Sequence, residues 1–116
     1  MLGSSLCSIY HNEHEVYAFH RDNKCYSYYS IDYSIDLKDL SKLSSLFRQI
    51  QPDLVIHCAG LTNLDICEKN PLLAKETNVN VSENIAQACS NKTKLVYIST
   101  DQVYGDAKDR SENNKK

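Results

Sequence analysis

Residues 52–62 read Pro-Asp-Leu-Val-Ile-His-Cys-Ala-Gly-Leu-Thr, and this stretch decides the fold. The run Leu54-Val55-Ile56 is continuously apolar, as expected for a parallel strand that is covered on both faces. Gln51-Pro52-Asp53 before the run breaks the preceding helix, and Ala59-Gly60 after it suits a tight turn. We therefore predict a buried parallel strand over residues 54–58 that ends in a turn of small residues.

Strands and helices alternate along the rest of the chain. Apolar runs predict two further strands, and apolar residues at helical spacing predict three helices. The strands are expected at residues 15–19 and 95–98, and the helices at residues 2–10, 36–50 and 71–89. Between them, the tyrosine-rich residues 26–33 predict a half-buried loop with a short strand. This alternation is typical of an α/β protein, with a doubly wound parallel sheet and helices on both faces.

Helix-capping residues support two of these helix boundaries. Asp36 followed by Asp39 resembles an N-cap with an acidic residue at the third position, so we expect the second helix to begin at Asp36. Pro71 suits the first position of the third helix. On that helix Asn78 lies on the apolar stripe, where its amide must find hydrogen-bond partners. Those partners are either neighbouring backbone groups or a ligand.

Composition and charge exclude several classes of function. The chain has 116 residues, and 13 Lys and Arg against 15 Asp and Glu give a net charge of −2. It has neither the basic field that attracts nucleic acid nor a polybasic strip for a membrane surface. The length fits one domain over residues 1–105, followed by a polar tail at residues 106–116 that we expect to be frayed.

The five cysteines favour a reducing compartment. Their number is odd and none forms a C-x-x-C pair, so no zinc or redox site is predicted. Cys58 and Cys89 lie in apolar runs and are expected to be small buried hydrophobes. No stretch is long and apolar enough to cross a bilayer, and no signal segment opens the chain, so we expect a cytoplasmic location.

Candidate site residues follow each predicted strand, because parallel sheets bind ligands beyond the carboxyl ends of their strands. His20 and Arg21 follow the first strand, where a basic residue suits the 2′-phosphate of NADP; the alternative is a solvated loop arginine. The small residues at 59–62 let a backbone approach a ligand, but they also suit any tight turn. Thr100 and Asp101 place a hydroxyl and a carboxylate at the mouth of the last strand, where the alternative is a strand-ending turn.

Together these segments resemble the extended short-chain dehydrogenase/reductases, most closely the dTDP-4-dehydrorhamnose reductase branch. The carrying residues are Asp36-Leu37 with Asp39, residues 52–62, Asp65, Glu68, Pro71, Asn78 and residues 99–104. The resemblance implies a partial Rossmann domain that binds NADPH, or alternatively NADH. No metal site is predicted. It places Leu2 and Gly3 at the end of the glycine-rich turn, His20 and Arg21 near the adenosine ribose, Asp36 and Leu37 at the adenine, Gly60, Leu61 and Thr62 along the cofactor, and Ile98 beneath the nicotinamide half.

The same resemblance implies a reaction and its alternatives. It implies reduction of the 4-keto group of dTDP-4-dehydro-6-deoxy-mannose in dTDP-rhamnose synthesis, with Thr100 holding the carbonyl oxygen and Asp101 meeting the nucleotide sugar. One alternative is a non-catalytic NADP-binding regulatory subunit, like the β-subunit of methionine adenosyltransferase. Another is a sugar-nucleotide epimerase or dehydratase of the same superfamily. The oligomeric state stays open.

The resemblance also implies a longer protein. The family's first strand and glycine turn are expected before Met1, and its catalytic Tyr-x-x-x-Lys and its C-terminal substrate domain after the last residue. In the doubly wound order that first strand lies between the strands ending at Phe19 and Cys58, so we expect unpaired strand edges or a repaired pairing there. We accordingly expect the 116-residue chain alone to lack reductase activity.

Overall fold

The computed structural model describes residues 2–21 and 28–100, and its elements follow the predicted α/β alternation. In chain order they are α1 (Leu2–Tyr10), β1 (Tyr17–His20), β2 (Ile31–Ser34), α2 (Leu40–Ile50), β3 (Leu54–His57), α3 (Leu64–Lys69), α4 (Pro71–Lys75), a π-helical turn (Glu76–Asn80), α5 (Val81–Ala88) and β4 (Lys94–Tyr97). The expected tail at residues 106–116 lies outside the described residues. No helix in the described part is long and apolar enough to cross a membrane.

The strands form two parallel pairs. β1 pairs with β2, so that His20 is opposite Ser34, and β3 pairs with β4, so that His57 is opposite Tyr97. Among the described residues no ladder joins one pair to the other. The two pairs are therefore separate two-stranded sheets, as the expectation of unpaired strand edges requires.

The core lies where α2 and α5 pack together against both strand pairs. Its buried residues are Ile35, Leu43, Phe47, Val81 and Ile85, each at most 7% exposed. Phe19 of β1 and Val55 of β3 pack against this cluster, and the ring centroids of Phe19 and Phe47 are 5.9 Å apart. Side-chain packing therefore holds the two pairs in one body.

Asp39 caps α2, and the expectation that the helix begins at Asp36 is wrong. The Asp39 side chain accepts a hydrogen bond from the Lys42 backbone N–H at 3.1 Å, which lowers the pKa of the Asp39 carboxyl. Asp36 instead accepts the Lys38 backbone N–H at 3.0 Å and closes a turn before the helix. Aspartate suits an N-cap at either position, but the Asp36 side chain is used in the turn before the helix, so Asp39 is the cap.

The third predicted helix has an irregular middle and a shorter helix before it. The backbone N–H of Val81 bonds to the carbonyl of Glu76, which is the i→i+5 pattern of a π turn. α3, which the sequence did not predict, begins after Asn63, whose side chain accepts the Ile66 N–H at 3.0 Å. The helix starting at Pro71 is therefore three joined segments.

Burial along β3 differs from the prediction of a strand covered on both faces. Val55 and His57 point to the core side, whereas Leu54 on the opposite face is 47% exposed. Cys58 is exposed, and the expectation of a buried thiol there is wrong because the residue lies just past the strand end. Cys89 is half-buried and packs against the core.

The core predicts a stability test at Leu43, which is 0% exposed. Leu43→Ala should lower the free energy of unfolding by about 2–5 kcal/mol, because it leaves a cavity between α2 and α5. Leu72→Ala is the matched control, since Leu72 is 79% exposed and should change that free energy by less than about 0.5 kcal/mol. Urea denaturation measures both, and equal losses would contradict the described core.

Candidate functional site

The predicted site residues lie in segments that follow the strands. Because β1 and β2 are parallel, the segments after them are neighbours, and the Ser34 hydroxyl donates to the Arg21 carbonyl at 3.3 Å. The segments after β3 and β4 are neighbours in the same way, with the Ile98 N–H donating to the His57 carbonyl at 3.1 Å. The strand-end residues therefore lie in two groups, one after β1 and β2 and the other after β3 and β4.

Asn78 in the π turn holds the backbone of the segment after β3. The Leu61 N–H donates to Asn78 Oδ1 at 2.7 Å, and Asn78 Nδ2 donates to the Leu61 carbonyl at 3.0 Å. A Cβ on Gly60 would lie 3.4 Å from Asn78 Oδ1, which is van der Waals contact, so Asn78 lies beside Gly60 as well as Leu61. The sequence left open whether Asn78 bonds to neighbouring backbone or to a ligand, and in the structure it bonds to the backbone of Leu61.

His57 and Ser82 continue this hydrogen-bond chain into the core. The Ser82 hydroxyl donates to the Asn78 carbonyl at 2.6 Å, and His57 Nε2 lies 3.1 Å from the same hydroxyl oxygen. Because that hydroxyl hydrogen is used on Asn78, we assign the ring hydrogen to Nε2, which then donates to Ser82. His57 is 5% exposed, and burial lowers its pKa, so the neutral ring is favoured.

Asn84 of α5 reaches the segment after β2. Its Nδ2 donates to the carbonyls of Leu37 at 3.1 Å and Lys38 at 3.0 Å. Lys38 also forms an ion pair with Glu76 at 3.0 Å, but both side chains are about half exposed and the pair stabilises little. A shallow cleft of about 310 Å³ lies here, lined by Lys38, Glu76, Asn80 and Asn84.

The remaining predicted residues differ in exposure. Arg21, Asp36, Gly60, Thr62, Ile98 and Thr100 are exposed, and Leu37 and Leu61 are half-buried. His20 is half-buried, and its Nδ1 atom is buried with no hydrogen-bond partner among the described residues. Leu2 and Gly3 lie in the first turn of α1, where a Cβ on Gly3 would meet no atom within 4 Å. Asp101 lies outside the described residues, which contain no cluster of side chains suited to a metal ion.

The family described as RmlD substrate binding domain matches residues 1–115. The chain belongs to this family. One similar protein is the probable low-salt glycan biosynthesis reductase of Haloferax volcanii. It is 32% identical over 73 residues, which are 62% of this chain and 24% of that protein. Methionine adenosyltransferase 2 subunit beta of Xenopus laevis is 35% identical over 71 residues, which are 60% of this chain and 21% of that protein. The RmlD-like chain thus spans about a quarter or less of the length of these relatives.

Solved structures confirm the predicted Rossmann-type fold. The dTDP-4-dehydrorhamnose reductase of Bacillus anthracis, solved with NADP, is 35% identical with a TM-score of 0.59. The match covers 64% of the RmlD-like chain and 28% of the reductase chain. UDP-glucose 4-epimerase of Thermotoga maritima, solved with UDP-glucose, has a TM-score of 0.78 at 17% identity, covering 86% of this chain and 35% of that chain. The second likeness concerns the fold alone.

One sequence expectation needs a correction. We expected no Tyr-x-x-x-Lys within the RmlD-like chain, yet residues 104–108 read Tyr-Gly-Asp-Ala-Lys and have that spacing. They continue directly from the segment 99–104 that carries the resemblance, and they lie outside the described residues. The Tyr-x-x-x-Lys spacing of residues 104–108 is therefore established from the sequence alone.

Burial of neutral His57 predicts a pH-dependent stability. Its folded-state pKa lies below the unfolded value of about 6.5, so below that pH the unfolded chain binds more protons than the folded one. The His57 contribution is complete above the unfolded pKa and is lost as pH falls towards the folded pKa. The free energy of unfolding should therefore decrease as the pH falls below about 6.5.

His57→Gln tests the assignment, because glutamine donates a hydrogen bond but does not titrate in this range. The variant should show a flatter dependence of the free energy of unfolding on pH between about 5 and 7.5. The control is His14→Gln, since His14 is exposed. A slope that His57→Gln leaves unchanged would exclude His57 as its source.

Proposed function

We propose that this chain forms the dinucleotide-binding part of an NAD(P)-dependent sugar-nucleotide reductase. The observation that carries the proposal is the pair of hydrogen bonds between Asn78 and Leu61, which fix the backbone of a segment of exposed small residues at the mouth of β3. Exposed Ile98 and Thr100 follow the neighbouring strand β4. A fixed backbone beside an apolar side chain and a hydroxyl suits a flat ring with a reacting carbonyl next to it.

The residues at the strand ends fit a dinucleotide. At Gly60 the backbone is exposed and has no side chain, so a ligand can approach it closely. The exposed Arg21 guanidinium suits a phosphate, and the exposed Asp36 carboxylate suits the amino group of an adenine. When bound, NADPH supplies a hydride. The complex of the Bacillus anthracis dTDP-4-dehydrorhamnose reductase with NADP supports this choice of cofactor class.

For the substrate we propose the 4-keto sugar nucleotide dTDP-4-dehydro-6-deoxy-mannose, as part of dTDP-rhamnose synthesis. The support is the family match over residues 1–115 and the identity of 35% to a dTDP-4-dehydrorhamnose reductase. The Thr100 hydroxyl would hold the carbonyl oxygen as negative charge develops on it. Asp101 would contact the nucleotide sugar beside it.

A second candidate function is a non-catalytic, NADP-binding regulatory subunit. It is favoured by the identity of 35% to methionine adenosyltransferase 2 subunit beta. Both candidates bind a dinucleotide, and only the reductase oxidises NADPH in response to a 4-keto sugar nucleotide. In a protein that joins these residues to the remaining length of a reductase, substrate-dependent loss of NADPH absorbance separates the two candidates. Sugar-nucleotide epimerase chemistry is not favoured in this way, because the likeness to UDP-glucose 4-epimerase concerns the fold alone.

The cofactor proposal predicts a selective effect of Arg21→Ala. A guanidinium donates to the 2′-phosphate that NADPH has and NADH lacks, so the variant should lose about tenfold to a hundredfold in NADPH affinity while its NADH affinity stays nearly unchanged. The neighbouring Asp22 repels phosphate and favours the lower end of that range. Quenching of nucleotide fluorescence on binding to the 116-residue chain measures both affinities.

Arg48→Ala serves as the matched control for that measurement. Arg48 is an exposed arginine in the last turn of α2, outside the segments that follow the strands. A chain that binds neither nucleotide would exclude the proposed function. Equal losses for NADPH and NADH in Arg21→Ala would instead leave binding in place and exclude the NADP preference.

The substrate proposal predicts a turnover effect at Thr100. In a protein that joins these residues to the remaining length of a reductase, Thr100→Ala should lower kcat by about 10²-fold or more with little change in NADPH affinity. Thr100→Ser retains the hydroxyl and should recover most of the rate. Unchanged turnover combined with weakened NADPH binding would place Thr100 on the cofactor rather than on the sugar.

A further inference from the structure

Two asparagines of one helical run contact the two loops that follow β2 and β3. Asn78 in the π turn bonds to the backbone of Leu61, and Asn84 in α5 bonds to the carbonyls of Leu37 and Lys38. The loops belong to different strand pairs, which share no ladder among the described residues. The helical run over residues 76–88 is therefore a common support for both loops.

Asn84 matches its two acceptors in number and geometry. A carboxamide nitrogen carries two hydrogens, and Asn84 Nδ2 has two carbonyl oxygens within 3.1 Å. The bond to the Leu37 carbonyl is part-buried, so water competes less for it than for the exposed bond to the Lys38 carbonyl. The amide of Asn84 thus fixes the direction of two successive peptide carbonyls directly after Asp36.

Other polar contacts of this loop are local or exposed. The Asp36 carboxylate accepts the Lys38 N–H at 3.0 Å, and the Asp39 N–H bonds to the Asp36 carbonyl at 3.0 Å. These bonds shape the turn but do not attach it to the rest of the molecule. The ion pair of Lys38 with Glu76 does attach it, but it is about half exposed and screened by salt. Asn84 is the better-shielded long-range polar contact of the turn.

We propose that Asn84 is a positioning residue for the adenosine half of the bound dinucleotide. By fixing the Leu37 and Lys38 carbonyls it sets the turn that presents the Asp36 carboxylate, while Asn78 acts on the other half through Leu61. The proposal rests on the proposed dinucleotide function. It assigns the two ends of one ligand to two positions of one helical run, and each position is testable without disturbing the other.

The test uses the full chain with Asn84→Asp, which keeps the size of the side chain but replaces the donating amide with a carboxylate that cannot donate to a carbonyl. Asn84→Ala removes the amide without adding charge and serves if the aspartate variant does not fold. Asn80→Asp is the matched control, because Asn80 is an exposed asparagine of the same helical run that lines the same cleft. Circular dichroism establishes that each variant is folded.

The first measurement needs no ligand. Amide hydrogen exchange followed by NMR should show faster exchange at Lys38 and Asp39 in Asn84→Asp, by about tenfold or more, with the Leu61 amide unchanged. In Asn80→Asp all three amides should exchange as in the unaltered chain. Unchanged exchange at Lys38 and Asp39 in Asn84→Asp, or an equal increase at Leu61, would overturn the positioning role.

The second measurement uses the two halves of the ligand separately. Adenosine 2′,5′-bisphosphate should bind Asn84→Asp about tenfold more weakly than the unaltered chain, whereas the affinity for reduced nicotinamide mononucleotide should not change. Equal weakening of both halves would overturn the proposal. An unaltered chain that binds neither half overturns the proposed function itself, and the exchange measurement then still decides whether Asn84 fixes the turn.

Discussion

The packing of α2 against α5 is the constraint on which the rest of this structure depends. The two strand pairs share no ladder among the described residues, so side chains must hold them together. Phe19 from one pair and Val55 from the other both pack against the cluster that contains Leu43 and Ile85. Burial of apolar surface is strong but has no direction, so this packing brings the strand ends together without fixing the loops that follow them.

The orientation of the loops is instead fixed by a few hydrogen bonds near the same helices. The carboxamides of Asn78 and Asn84 contact backbone groups of two different loops, and Ser82 links Asn78 to His57 on β3. Each of these side chains lies at the edge of the apolar core. A polar group that lost its partner there would lower the free energy of unfolding by about 1–3 kcal/mol. The loops are therefore ordered by groups whose geometry the core itself determines.

The sequence predicted the elements better than the contacts between them. Apolar periodicity identified the main strands and helices, and topology located the segments that follow them. Asn78 was recognised as needing a partner, but the partner depends on a π turn, an i→i+5 arrangement without a residue signature. Asn84 was missed because it is an ordinary polar residue on a helix until the loop after β2 lies beside it. A single polar residue within the apolar run at 54–58 was the available signal for His57.

The π turn also constrains how the length of this chain can change. A π turn contains one residue more than the α-helical turn that would replace it, and such turns are less favourable for the backbone than regular helix. Deleting one residue between Glu76 and Asn80 would permit a regular helix whose flanking segments keep their directions, but it would shift the residues inside the turn, Asn78 among them. Asn78 would then leave Leu61 while α5 kept its place in the core. Helical regularity and the present position of Asn78 are thus mutually exclusive, so a shortened sequence could gain backbone regularity only by giving up the order of the loop after β3.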